Sequence, residues 1–175
     1  MNHIKQRNGW LLSRIIFLST FGIVAFGLIW LGQPTVDESN GQASSAESLL
    51  KSDETNFDFG TISMANGKVN HEFKITNSSD QPINIKKIYT SCMCTVANFK
   101  FNGKTYGLFG MPGHGGGALT ATNITLNPGD SGSLDVIYDP NAHGPAGVGA
   151  IDRFVYIEDK NGGKLELEIK TVVTP

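Results

Sequence analysis

From Ile15 to Gly32 the chain reads IIFLSTFGIVAFGLIWLG, eighteen residues without a single charge. As an α-helix rising about 1.5 Å per residue, such a run extends about 27 Å, close to the hydrocarbon thickness of a bilayer. Trp10 and Trp30 bracket it, and indoles favour the membrane–water interface. Lys5, Arg7 and Arg14 precede the run, while Asp37 and Glu38 follow it. Positive residues stay on the cytoplasmic side. The expectation is a basic cytoplasmic N-terminus (1–14), a transmembrane signal anchor (15–32) and an extracytoplasmic remainder held at the cell membrane. A cleaved signal peptide is the alternative, but its apolar region runs only about 7–15 residues with small residues directly after it. Here Gln33-Pro34 follows, and the small residues around Ala43 to Ala46 come late. No cysteine stands near the end of the run, which excludes the usual form of a lipoprotein.

Residues 33–55 are Ser-rich and acidic, with five carboxylates against Lys51. A segment this polar buries too little apolar area to order itself and reads as a flexible linker. One small domain of about 120 residues is left, from 56 to 175, large enough for a core without staples. The whole chain holds two cysteines, too few for a disulfide scaffold or a four-thiolate zinc site. Its formal net charge of −2 offers no basic excess to neutralise phosphates, so nucleic acid is excluded as a partner.

Across 56–175 the apolar residues alternate with period two rather than recurring at helical spacing. Phe57, Phe59 and Thr61 share one face, as do Val69, His71, Phe73 and Ile75. Ile83 and Ile85 open a third strand, and Ile88 and Tyr89 fall out of phase with them, which predicts a bulge before Cys92. Ile124 with Leu126, then Leu134 with Val136 and Tyr138, are separated by the turn Asn127-Pro-Gly-Asp. Ile151 to Glu158 and Lys164 to Val173 flank Asn161-Gly-Gly. About seven strands with turns between them predict an all-β fold, an antiparallel β-sandwich of immunoglobulin type.

The run Phe57-Asp58-Phe59-Gly60, then Val69, His71, Phe73 and Asn77, then Pro82-Ile83 and Ile85, and finally Ser91-Cys92-Met93-Cys94-Thr95 resembles the bacterial family called domain of unknown function 1573. Asn127 to Gly132 and Tyr138-Asp139-Pro140 are similar to it as well, so the resemblance extends over nearly all of 56–173. It implies an Ig-like sandwich related to pilus chaperones and major sperm protein, secreted or anchored, and it supplies no activity. Two departures stand out: Met93 replaces the glycine common between the cysteines, and a long Gly-rich insertion occupies 98–117.

Two cysteines spaced two apart on a strand point to one face. Cys92 and Cys94 can then act together on a third atom, whereas bonding to each other closes a strained ring. Alternating strand directions bring Cys92, Cys94 and Met93, the insertion with Met111 and His114, and the 140–149 loop with His143 to one pole. His71 lies near the top of its strand at the same end. Sulfur with imidazole suits copper or zinc, so Cys92, Cys94, His114, His143, His71 and Met111 are the candidate metal ligands. Each also has a plainer reading: a disulfide or buried thiols for the cysteines, a backbone-bonded histidine for His71, loop packing for His114 and His143, and a hydrophobic plug for Met111. Thiol–disulfide chemistry is a further alternative, and it needs a cation beside the pair, for which Lys86, Lys87 or a histidine is the candidate. No nucleophile elbow, HExxH motif or phosphate loop occurs. The leading expectation is therefore a non-enzymatic binding or structural module acting through sheet edges or Gly-rich loops. Soft-metal binding or delivery stands second.

Overall fold

Period-two alternation becomes strand structure wherever one face of a segment is apolar enough to bury. The computed structural model describes residues 46–114 and 120–175; the N-terminus 1–14, the expected anchor 15–32 and most of the expected linker lie outside the described residues. Among the described residues no helix is long and apolar enough to cross a membrane. Eleven strands run in chain order as β1 (Ala46–Glu47), β2 (Leu50–Ser52), β3 (Asn56–Ser63), β4 (Val69–Asn77), β5 (Ile83–Thr90) and β6 (Thr95–Phe101), continuing with β7 (Lys104–Phe109), β8 (Ala121–Leu126), β9 (Ser131–Tyr138), β10 (Gly149–Asp159) and β11 (Gly163–Thr174).

They form two sheets. One has the order β1-β11-β10-β5-β8, with β3 also paired to β11, and the other has the order β2-β4-β9-β6-β7. The facing sides supply the core: Phe73, Ile75, Phe99, Leu134 and Val136 from the second sheet meet Ile85, Ile88, Leu126, Val155, Ile157 and Leu167 from the first, all fully buried. Each such side chain contributes about 1.5–3 kcal/mol by leaving water. At Gly132, in β9, the Phe99 ring occupies the space that a Cβ would need.

Four features differ from the sequence-based expectation. β6 and β7 form a hairpin out of residues that read as the start of a Gly-rich insertion. Thr95, Ala97 and Phe99 face inward there, and two small residues out of three hide the alternation. β1 and β2 draw residues 46–52 out of the expected linker and into the two sheets, with Leu50 fully buried. The first sheet is not purely antiparallel, because β1 and β3 run parallel to β11. Parallel neighbours need a long connection, and nearly the whole domain lies between these strands in sequence. The strand count among the described residues is accordingly eleven rather than about seven. The expected bulge is present: the register of β5 shifts between Ile85 and Lys87 against β8, and opposite Glu158 and Asp159 on β10.

The connections determine what meets at each pole. The chain crosses between sheets from β3 to β4, β5 to β6, β7 to β8 and β9 to β10 at one pole. At the other pole lie the hairpins β6–β7 and β10–β11 and the turns after β4 and β8. Asn77 ties the last two together: its amide donates to the Leu126 carbonyl at 2.9 Å, and Gly129 N–H donates to the Asn77 carbonyl at 2.9 Å.

Candidate metal centre

Cys92 and Cys94 lie in the crossover from β5 to β6, not within a strand. Thr95 N–H donates to the Cys92 carbonyl at 3.2 Å, closing a turn, and the Thr90 hydroxyl lies 2.9 Å from both the Cys92 and Thr95 carbonyls. The sulfurs therefore share a side because the turn folds them together, rather than through strand alternation. Within it, Cys94 N–H donates to Cys92 Sγ at 3.4 Å. Both cysteines are free, with Cys92 half-buried and Cys94 buried.

The crossover from β9 to β10 runs alongside. Asp139 N–H donates to the Cys94 carbonyl at 2.9 Å, locking the two connections together. Pro145 sits in a 3-10 turn over Gly144–Gly147, and His143 immediately precedes it. This places His143 Nε2 at 3.2 Å from Cys92 Sγ. One donor atom from each of Cys92, Cys94 and His143 falls within a 4.8 Å group. No other trio of His, Cys, Asp and Glu among the described residues makes such a group.

Arg153 completes the surroundings. Its Nε donates to Cys94 Sγ at 3.2 Å and its Nη1 to the Asp152 carbonyl at 2.6 Å. Sequence reasoning assigned this neighbourhood's cation to Lys86, Lys87 or a histidine and missed Arg153. A signal was present, because Arg153 interrupts the inward phase of Ile151, Val155 and Ile157 with a charge. Met64 is a second unanticipated neighbour. Its Cε and the His143 Cβ each lie 3.5 Å from the place a Gly147 Cβ would occupy, and Asn141 Nδ2 donates to its carbonyl at 2.8 Å.

The two thiols are pushed apart electrostatically. Burial raises Cys92, but hydrogen bonds from Cys94 and His143 and the charge of Arg153 outweigh it and bring this thiol down to about 7. Burial and the neighbouring Cys92 sulfur push Cys94 up, against the opposing hydrogen bonds from Arg153 and Thr95. The pair thus offers one readily formed thiolate, half-exposed, beside an imidazole and a guanidinium.

The other candidate ligands are placed differently. His71 stacks face to face on Phe57 with centroids 3.6 Å apart, and its Nε2 pairs with the Glu54 carboxylate rather than with the backbone. His114 lies in the β7–β8 crossover at the cysteine pole, but it is exposed and outside the three-residue group. Met111 is half-buried in the same crossover, next to Gly110, whose carbonyl accepts from Thr90 N–H at 3.3 Å.

Comparison with known proteins places the fold. A protein of unknown function from Porphyromonas gingivalis W83 superposes with a TM-score of 0.51 at 13% identity, covering 77% of this chain and 51% of its own, so this chain spans about half that protein's length. The class 5 fimbriae chaperone CfaA matches with a TM-score of 0.42 at 17% identity, covering 72% of this chain and 57% of its own. A PapD-like domain of human CEP192 matches at 0.42 and 8% identity, covering 73% and 87%. None of the curated proteins matches. The family match spans residues 50–106, which takes in Phe57–Gly60 and the Cys92–Cys94 pair but not His143 or the 127–140 motifs. Residues 50–106 of this chain match the family described as protein of unknown function, DUF1573.

Proposed function

We propose that this chain is a membrane-anchored, extracytoplasmic Ig-like module without catalytic activity of its own, and that it binds a soft metal ion, copper or zinc, through Cys92, Cys94 and His143. The observation that carries this reading is the convergence of two sulfurs and an imidazole nitrogen within 4.8 Å. Thiolate and imidazole are the donors that copper and zinc prefer. Two adjacent crossovers, bonded to each other through Asp139 and Cys94, hold the donors in place. The test is metal titration of the full, reduced chain. One equivalent of Cu(I) or Zn(II) binds the wild type, and Cys92→Ser and His143→Ala weaken it; absence of uptake under reducing conditions sinks the reading.

A second reading rests on the half-exposed Cys92 with Cys94 beside it: thiol–disulfide exchange. In that reaction the two thiols lose two electrons and two protons to a partner disulfide, which leaves as two thiols. A reduction potential indistinguishable from that of an inert structural disulfide eliminates this second reading.

A further inference from the structure

We infer that Arg153 makes the Cys92–Cys94–His143 group a site for a monovalent thiophilic ion, Cu(I), in preference to Zn(II); the inference rests on the soft-metal reading above and names its cargo. The first argument is charge. Two thiolates around a monovalent ion leave one negative charge, and the guanidinium touching Cys94 Sγ neutralises it. Two thiolates around Zn(II) already sum to zero, and the same guanidinium is then an unbalanced positive charge next to the ion. Among the described residues Arg153 has no carboxylate partner to absorb that charge; its bonds go to Cys94 Sγ and the Asp152 carbonyl. In surroundings less polar than water this difference is not screened away.

The second argument is the donor set. Zinc sites close tetrahedrally on four ligands, or on three plus a water. Here two nearby carboxylates are engaged elsewhere: Asp139 accepts from Asn141 N–H at 2.9 Å and faces Lys68 Nζ at 3.6 Å, and Asp152 faces Lys170 Nζ at 4.0 Å. The Met64 side chain, whose thioether is a soft sulfur, reaches the same crossover at Gly147. Three donors, two of them sulfur, complete a Cu(I) site by themselves, whereas Zn(II) needs a water or a further ligand in its fourth position.

Arg153 is in this account a positioning residue that acts through the charge it places beside the sulfurs. The experiment compares the full reduced chain with Arg153→Gln and Arg153→Lys. Cu(I) is measured anaerobically against a colorimetric Cu(I) chelator, and Zn(II) against a zinc-responsive dye. Arg153→Gln weakens Cu(I) by about tenfold or more, the scale on which outer-shell partners act, and leaves Zn(II) unchanged or tighter. Arg153→Lys, which keeps the charge, recovers most of the Cu(I) affinity. If Arg153→Gln moves both ions by the same factor, or Arg153→Lys is as weak as Arg153→Gln, Arg153 is a structural support and the charge argument is overturned. If the wild type takes up neither ion, the soft-metal reading itself fails and this inference falls with it.

Discussion

Arg153 Nε donates to Cys94 Sγ across 3.2 Å, the same separation that divides His143 Nε2 from Cys92 Sγ. Each sulfur of the pair therefore has its own nitrogen partner, one from the strand β10 and one from the crossover leading into it. The thiols still differ: the exposed side of the pair holds an imidazole, while on the buried side burial and the neighbouring Cys92 sulfur outweigh the guanidinium and push Cys94 up.

Cys92 ionises at about 7, against 9.0 for an ordinary thiol. Alkylation by iodoacetamide follows the thiolate, so its rate at Cys92 rises through a midpoint near pH 7. His143→Ala and Arg153→Gln each move that midpoint upward. A wild-type midpoint at the ordinary thiol value refutes the electrostatic account. The same depression adds stability that is present above the unfolded value near 9 and is lost as the pH falls through about 7.

His143 and His114 lie at one pole, but only His143 belongs to the sulfur group. His143→Ala weakens Cu(I) by at least about tenfold, whereas His114→Ala leaves the affinity unchanged. His143 is exposed, so its loss changes folding stability by no more than about 0.5 kcal/mol. Chelator competition and urea denaturation on the two variants check both halves. Equal loss of affinity in the two contradicts the geometry.

Leu50 is fully buried although its surroundings in the sequence are Ser-rich and acidic. Leu50→Ala destabilises the domain by about 2–5 kcal/mol, the range for truncating a core leucine. A urea midpoint unchanged from wild type would mean that β2 is a dispensable attachment.

Gly132→Ala places a methyl group on the Phe99 ring. Overpacking of this kind costs about 1–3 kcal/mol. Because the tightest contacts are with this one side chain, and only the Lys100 carbonyl at 3.2 Å is backbone, Phe99→Leu in the same molecule recovers part of the loss, and a double-mutant cycle by chemical denaturation measures the coupling. Strict additivity excludes the clash as the cause.

The strands most legible in the sequence are those where large apolar and polar residues alternate, as in β11, where Leu165, Leu167 and Ile169 face Glu166, Glu168 and Lys170. β6 escapes that pattern because its inward residues include Thr95 and Ala97, and β1 and β2 escape it because strands of two and three residues carry no period. At the site, the convergence of the cysteines with His143 follows from counting strand directions. That counting holds even though β6 and β7 are added, because a hairpin returns the chain to the pole it left. Direction alone does not place side chains. His71 also lies toward that pole, but Phe57 and Glu54 hold its ring apart from the sulfurs. Arg153 is legible only as an exception, a charge in an inward phase whose partner is a sulfur from another connection.

β1 joins β11 opposite Gly163 and Lys164, where β11 begins, whereas the far end of β11 pairs with Gly149 and Ala150, just past the His143 crossover. At about 3.3 Å per residue, the twelve residues of β11 span about 40 Å. β1 thus begins at the pole remote from the sulfurs. The half-exposed Cys92 lies at the pole opposite to the one where Ala46 begins β1.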